Sequence, residues 1–331
     1  MNQSKNRTEI STLRPSPDAL LNPRLDPIFK SLFTQNSHDS NAALKAFLSV
    51  MLHQNITDVD ITQNELPIES ERDKQSIFDL TCRTENGRKV LNVEMQGKND
   101  LDSFDNRSEY HVAHLLNHFV KKSMLWNEVP EAVMISVLNF VYDENVKNGF
   151  LEYTMRLEDG TGLKSSRLKI IFLELPKYEK IPDAPLEKLT AEEKWGKFFL
   201  YANRSEKQEY LKILAESEDG IMYAQNALNS ISQSDAEWRR ERDYLDAVIT
   251  EATIRNQAER KGYAAGEKQG YETGEKRGIQ QGLQQGLQQG LQQANVESAK
   301  KLLQMNILTP EQIAQAVSLP LEDVLALKEQ K

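Results

Sequence analysis

The sequence predicts a mixed α/β domain followed by an all-helical C-terminal part. Near the start of the chain, apolar residues recur at helical spacing. Between residues 77 and 178, short apolar runs bounded by turn residues predict strands. After prolines at positions 182 and 185, apolar residues recur only at helical spacing. We therefore expect a sheet covered by helices, and then helices without a second sheet.

Two helices are predicted before the first strands. The segment NPRLDPIFKSLFT places Asp26 at a helix N-cap and Pro27 at the first helical position. The apolar stripe of this helix comprises Ile28, Phe29, Leu32 and Phe33. A second helix is predicted for residues 40–54.

The central part of the chain predicts the sheet. Residues 77–96, IFDLTCRTENGRKVLNVEMQ, predict a β-hairpin whose turn is Asn86-Gly87. A short strand is predicted before the hairpin and a helix over 103–126 after it. Three more strands are predicted in EAVMISVLNF, FLEYTMRLED and LKIIFLELPKY.

Glycine occupies every fourth position from Gly262 to Gly290. Eight glycines would cost a helix about 6–8 kcal/mol relative to alanine. Either close helix packing or self-association offsets this cost, or the segment is a flexible Gln/Gly linker. The last residues predict two or three short helices, which suit a capping bundle, a dimerisation module or a DNA-binding helix-turn-helix. The predicted divisions are a disordered tail (1–20), the α/β domain (21–180), a helical appendage (190–257), the glycine repeat (258–293) and a helical module (294–331).

Composition limits the function classes. The formal net charge is −9, which predicts modest, salt-sensitive affinity for DNA rather than a large basic surface. No apolar run reaches the length of a transmembrane helix, and the polar N-terminus lacks the apolar region of a secretory signal. The single cysteine, Cys82, excludes an intramolecular disulfide. We therefore expect a cytoplasmic protein without membrane contact.

Three polar residues interrupt the apolar hairpin: Asp79, Glu94 and Gln96. Pairing across the predicted turn can bring Asp79 beside Glu94, and the two carboxylates would repel each other unless a cation lay between them. Mg²⁺ prefers such oxygen ligands and activates water near phosphate. The alternative is that both carboxylates lie on an exposed sheet face.

The Asp-x(14)-Glu-x-Gln pattern resembles the catalytic strands of the PD-(D/E)XK nuclease superfamily. More closely, the chain resembles the Rpn family of recombination-promoting nucleases, also described as PD-(D/E)XK family transposases. The matching segments are LDPIFKSLF, SIFDLTCRTENGRKVLNVEMQ, RSEYHVAHLL and the glycine repeat. The resemblance covers most of residues 21–330. It implies a nuclease core of mixed sheet and flanking helices that cleaves DNA with Mg²⁺ or another divalent cation such as Mn²⁺.

The resemblance also implies roles for individual residues. Asp79 and Glu94 would hold the metal. Gln96 stands where the superfamily's general pattern has lysine, and it can position water but carries no charge. Lys98 or Lys30 would supply the missing positive charge.

Two further segments match the family. Asp26 corresponds to an acidic residue near the active site, although an ordinary N-cap role is equally compatible with its position. Arg107 and Tyr110 match an Arg-x-x-Tyr motif and would contact nucleic acid or the transition state. Three histidines, His111, His114 and His118, follow on the same helix. They suit a zinc pair, a phosphate-facing stripe or a solvated helix face.

Three functional hypotheses follow. The first is a metal-dependent DNA endonuclease linked to recombination or mobile elements, with a C-terminal part that forms homo-oligomers. The second is a catalytically weakened relative that binds DNA and oligomerises, because Gln96 replaces lysine. The third is a self-association scaffold.

Overall fold

The computed structural model describes residues 14–16, 18–62, 80–84, 87–97, 104–156, 160–163, 166–183 and 185–329. Asp79, Asn86 and Lys98, for which the sequence predicts roles, lie outside the described residues. In the described part of the chain, no helix combines the length and apolarity needed to cross a membrane.

The described residues form ten α-helices and six strands. The strands are β1 (Val59–Ile61), β2 (Leu80–Thr84), β3 (Lys89–Gln96), β4 (Glu131–Leu138), β5 (Phe150–Thr154) and β6 (Leu168–Glu174). The helices that precede residue 180 are α1 (Asp26–Thr34), α2 (His38–Met51), α3 (Phe104–Phe119) and α4 (Leu175–Glu179). The later helices are α5 (Ala191–Tyr201), α6 (Gln208–Ser217), α7 (Asp219–Ile231), α8 (Asp235–Met305), α9 (Pro310–Val317) and α10 (Leu321–Glu329).

The strands form one mixed sheet in the order β1-β2-β3-β4-β6-β5. β3, β4 and β6 are parallel, whereas β1 with β2, β2 with β3, and β5 with β6 are antiparallel. The predicted hairpin therefore forms, with Leu80 opposite Val93. Gly87 has φ +82°, a conformation that glycine adopts without strain, as the chain enters β3.

Helices cover both faces of the sheet. Alternate residues of β3 point to opposite faces, so Leu91, Val93 and Met95 enter the large core with α1, α2, α5 and α7. Val90 lies on the other face in a smaller core with Val112 and Leu115 of α3. Full burial of one such side chain contributes about 1.5–3 kcal/mol, so both helix layers stabilise the sheet substantially. The mixed α/β fold predicted from the sequence is confirmed.

The helix boundaries differ from the predicted ones in two places that matter for the site. Leu25, not Asp26, is the N-cap of α1, and Asp26 is its first residue. α3 ends at Phe119 rather than near residue 126, because turns with Met124 N bonded to Lys121 O and Glu128 N bonded to Leu125 O replace the last predicted helical turns.

The chain divides into two compact units, residues 1–247 and 248–331. In the second unit, the end of α8 packs with α9 and α10 around a small core, whose buried members are Ala299, Ile313, Ala314, Val317 and Val324. Thr309 caps α9 in a capping box with Gln312, as the Thr-Pro-Glu sequence predicts. The glycine repeat lies within α8.

Candidate active site

The two described polar residues of the hairpin, Glu94 and Gln96, lie near the carboxyl end of β3, which is parallel to its neighbour β4. Glu94 is in register with Ser136 of β4. In open α/β sheets, ligands bind in the crevice beyond the carboxyl ends of parallel strands. The fold therefore places Glu94 and Gln96 at the sheet edge where such sites form.

Glu94 is a buried carboxylate, with only 4% of its surface exposed. The Ser136 hydroxyl donates a hydrogen bond to Glu94 Oε1 at 2.9 Å. Burial raises the pKa of Glu94; Ser136, the charge of Arg107 and a hydrogen bond from Gln96 oppose this rise, and the charge of Asp26 adds to it. The alternative of an exposed sheet face is therefore wrong for Glu94.

Asp26 reaches the same edge from α1. The Asn139 side chain, just after β4, donates to Arg24 O at 2.9 Å and so ties the start of α1 to this edge. Leu25 occupies the N-cap position, and among the described residues the buried Oδ1 of Asp26 has no hydrogen-bond partner. The ordinary N-cap role of Asp26 is therefore wrong, and its charge acts on Glu94.

Gln96 contacts a cation that the sequence does not connect with it. Arg107 Nη2, from the first turn of α3, donates to Gln96 Oε1 at 2.9 Å. The Arg107 guanidinium also lies over the Phe104 ring, 5.5 Å from its centroid. Phe104 is fully buried, so the guanidinium is held between a fixed aromatic face and the amide of Gln96.

The rest of the polar face of α3 extends from Arg107. The Tyr110 ring stacks on His114 with centroids 5.7 Å apart and is 38% exposed. Burial, Arg107 and His114 lower the pKa of His111 to about 4, so this imidazole is neutral near pH 7. A cluster of three or more metal-ligating side chains of His, Cys, Asp or Glu is not found within the described ranges, these histidines included.

Lys30 lies four residues after Asp26 on α1 and is half-buried. Among the described residues, its ammonium makes no ion pair, and it shares no hydrogen bond with Glu94 or Gln96. The structure thus brings together Asp26, Glu94, Gln96 and Arg107.

A cavity of about 580 Å³ opens beside Asp26. Its other wall is the start of α8, which contributes Asp235, Ala236, Arg239, Arg240, Asp243 and Tyr244. Two hydrogen bonds fix this wall: Ser31 Oγ donates to Glu237 Oε2 at 2.9 Å, and Asn22 N donates to Glu241 Oε1 at 3.1 Å.

Sequence reasoning missed Ser136 and the α8 wall. The lone hydroxyl in the apolar run VMISVL was a usable signal for Ser136, since a buried polar side chain needs a partner. The wall of α8 meets Asp26 across about two hundred residues of chain, and no local pattern encodes that contact.

The fold and site define a class: a mixed sheet between helices, with a buried carboxylate, an amide and an unpaired aspartate at the carboxyl edge of its central strands. The profile of one family, described as PD-(D/E)XK nuclease family transposase, matches residues 23–256. The match spans more than half of the chain, so the protein belongs to this family, as its sequence motifs predict. No curated protein and no solved structure gave a significant match.

Proposed function

We propose that the protein is a metal-dependent DNA endonuclease that hydrolyses phosphodiester bonds. Membership in the nuclease family supports the reaction class. The observation that carries the proposal is the buried Glu94 carboxylate beside the unpaired buried Oδ1 of Asp26. Two acidic groups at one buried edge destabilise each other, and this arrangement persists where a cation is the intended partner.

The donor chemistry fits a hard divalent cation. Nucleases of this superfamily use divalent metal ions, and carboxylate oxygens suit Mg²⁺ or Mn²⁺. We assign Glu94 and Asp79 as the metal-holding residues, with Asp26 contributing to the same site. Leu80, the residue after Asp79, pairs with Val93, the residue before Glu94. When bound, the metal would supply an activated water and neutralise charge on the phosphate.

The protein's own groups orient the site. Ser136 holds one oxygen of Glu94 and so fixes the direction of its other oxygen. Arg107 offers a positive charge, and a guanidinium can donate several N–H groups to phosphate oxygens. Lys30, Lys98 and Tyr110 are assigned as further contacts to the nucleic acid, in keeping with the family motifs.

A second cavity supports DNA as the substrate. It has a volume of about 460 Å³ and lies beside α4, which follows the carboxyl end of β6. Its lining includes two lysines, Lys147 and Lys180, both exposed and without an ion-pair partner in the described part of the chain, and one exposed carboxylate, Glu144. Cations at the edge that also carries Glu94 suit a polyanionic strand, despite the net charge of −9.

The family's description as transposases supports a proposal for the cellular role. We propose that the cleavage acts in recombination or in the movement of mobile elements, and that the protein works in the cytoplasm. We also propose that it forms homo-oligomers through its C-terminal helices. The single cysteine, Cys82, is fully buried, which suits a reducing compartment.

Supercoiled plasmid DNA tests the nuclease proposal. With Mg²⁺ or Mn²⁺, the wild-type protein should nick the plasmid. Asp79→Ala and Glu94→Gln should each lower the rate about 10³-fold, because each removes a metal ligand. Glu109→Gln, an exposed substitution on α3, is the matched control and should leave the rate unchanged. Wild-type nicking no faster than that of Asp79→Ala would contradict the proposal and favour a catalytically weakened DNA-binding protein.

A further inference from the structure

We infer that Gln96 is a positioning residue for Arg107, and that Arg107 supplies the positive charge that the superfamily's general pattern places on the lysine. This inference rests on the proposed nuclease function. It gives Gln96 a different task from orienting the attacking water. It also makes the two residues, eleven positions apart in the sequence, one functional unit.

The hydrogen-bonding pattern of Gln96 supports this task. Its single acceptor atom, Oε1, receives Arg107 Nη2 at 2.9 Å. Its amide also lies close enough to Glu94 to lower the pKa of that carboxyl. A side chain that orients an attacking water accepts a hydrogen bond from it, and the oxygen of Gln96 that could do so already receives one from Arg107, which favours the positioning role. The amide is therefore a bridge between a carboxylate and a guanidinium.

The same geometry explains why lysine is not required at position 96. Lysine has three donors and no acceptor, so it could not receive the hydrogen bond from Arg107. Its ammonium would also repel the guanidinium at that distance. The amide of glutamine presents its NH₂ group to Glu94 and its oxygen to Arg107. The positive charge then comes from Arg107 of α3 instead of from a lysine of β3.

Other contacts show that Arg107 is held in place. Phe104, one helical turn before it, presents a ring face 5.5 Å from the guanidinium carbon. Glu94 is close enough for its pKa to be lowered by the charge of Arg107. Within the described residues, the Arg107 side chain donates one hydrogen bond, to Gln96, and a guanidinium has further N–H donors that can meet a phosphate oxygen.

A double-mutant cycle measures whether the two residues act as one. Arg107→Gln should lower kcat for plasmid nicking about 100-fold, because a fixed donor to the transition state is lost. Gln96→Met should lower kcat about tenfold with little change in KM, because the guanidinium loses its orientation. The double variant should match Arg107→Gln alone. If the losses instead multiply to about 1,000-fold, Gln96 acts independently of Arg107 and the inference is wrong.

A second experiment moves the positive charge from position 107 on α3 to position 96 on β3. Gln96→Lys combined with Arg107→Gln places one cation on β3 instead of α3. This double variant should nick plasmid at least tenfold faster than Arg107→Gln alone. No recovery in a protein with wild-type unfolding behaviour would overturn the inference. Arg83→Gln is the matched control: Arg83 lies over Phe119 at the far end of α3, 5.7 Å from the ring centroid, and should leave nicking unchanged.

Binding without cleavage separates this inference from the nuclease proposal. In Ca²⁺, the anisotropy of a short fluorescein-labelled duplex reports affinity alone. Arg107→Gln should weaken binding and reduce the salt dependence by about one phosphate contact. Gln96→Met should weaken binding less, and the double variant no more than Arg107→Gln. If the wild type binds DNA but never nicks it, the nuclease proposal fails. The binding affinities of the variants still measure the coupling between Gln96 and Arg107. If binding is unaffected by Arg107→Gln, the inference fails.

Discussion

Buried polar side chains at the sheet edge reduce the stability of this protein. Asn92, two residues before Glu94 on the same face, is 1% exposed, and among the described residues neither polar atom of its amide has a hydrogen-bond partner. A buried polar group without a partner costs about 1–3 kcal/mol. Glu94 adds the cost of a buried charge. Residues that break the rules of an apolar strand in this way are characteristic of sites kept for function.

Replacing Glu94 should therefore raise the stability of the protein and weaken its metal binding. Glu94→Gln keeps the acceptor for Ser136 but removes the buried charge, so in EDTA it should raise the free energy of unfolding by about 1 kcal/mol. Mn²⁺ should stabilise the wild type by about 2.7 kcal/mol at a hundred times its Kd, and the variant by much less. Urea unfolding with and without Mn²⁺ measures both effects. Equal stabilisation of the two proteins by Mn²⁺ would remove Glu94 from the metal site, and Glu109→Gln controls for the loss of one charge.

At the residue scale, the sequence indicates which side chains could belong to the site but not which side chains they contact. Glu94 and Gln96 stand out because period-two alternation makes a polar residue in a strand visible. The bond from Arg107 to Gln96 depends on where α3 begins relative to the end of β3, and the residues between them carry no pattern that sets this geometry. Asp26 was ambiguous because an aspartate before proline also suits a helix start, and the structure excludes the cap because Leu25 occupies that position.

An ionic cluster ties the linker between the sheet and the later helices to α5. Asp183, in the linker before α5, accepts from Lys197 Nζ at 3.0 Å and from the Tyr201 hydroxyl at 2.8 Å. Lys197 is fully buried, and its ammonium also donates to Ile181 O. Lys207 completes the cluster with an ion pair to Asp183. The linker is thus fixed to α5, which packs in the main core.

Asp183→Asn should destabilise the protein by about 1–3 kcal/mol, because the buried Lys197 loses its counter-charge. Partial burial would raise the pKa of Asp183, but hydrogen bonds from Lys207, Tyr201 and Lys197 outweigh it and lower the pKa to about 2. A lowered carboxyl pKa stabilises the folded state above the unfolded value of about 4. This stabilisation is lost as pH falls from about 4 to about 2.

Urea midpoints of wild type and Asp183→Asn should therefore differ most above pH 4 and converge near pH 2. Glu216→Gln, at an exposed position on α6, provides a matched control and should follow the wild type at every pH. A constant difference across this range would show that the cluster is not the source of the stabilisation.

Element types were predictable because they depend on local periodicity, whereas their ends and neighbours were not. The hairpin and α1 follow directly from alternation and from a four-residue apolar stripe. The end of α3 was overestimated by several residues, since KKSMLWNEV contains no strong helix stop before Pro130. Trp195 and Phe199 of α5 pack against Phe47, and Phe199 also packs against Phe29, contacts that require the tertiary fold.

At the scale of the whole molecule, the glycine repeat is unexplained by packing within the described chain. A Cβ at any of the eight glycines from Gly262 to Gly290 would meet no atom within 4 Å. The residues that directly follow several of these glycines are large, apolar and exposed, including Leu283 (74%), Leu287 (67%) and Leu291 (56%). The glycines and the apolar residues that follow them therefore form two neighbouring rows along α8, each repeating every four residues. Rows with this spacing allow two helices to pack against each other with an angle of about −50° between their axes.

Substitution of alanine for glycine separates the two explanations of the repeat. Gly282→Ala, Gly286→Ala and Gly290→Ala together should stabilise an isolated helix by about 2–3 kcal/mol. If a second copy packs against the glycines, as the proposed homo-oligomer requires, the added methyl groups should instead weaken association. We expect light scattering on the full-length chain to give a lower mass for this triple variant at equal concentration. Alanine at Gln284, Gln288 and Gln292, on the opposite side of the helix, is the control and should leave the mass unchanged. Greater helicity by circular dichroism with an unchanged mass would show that copies of the chain do not meet through the glycines.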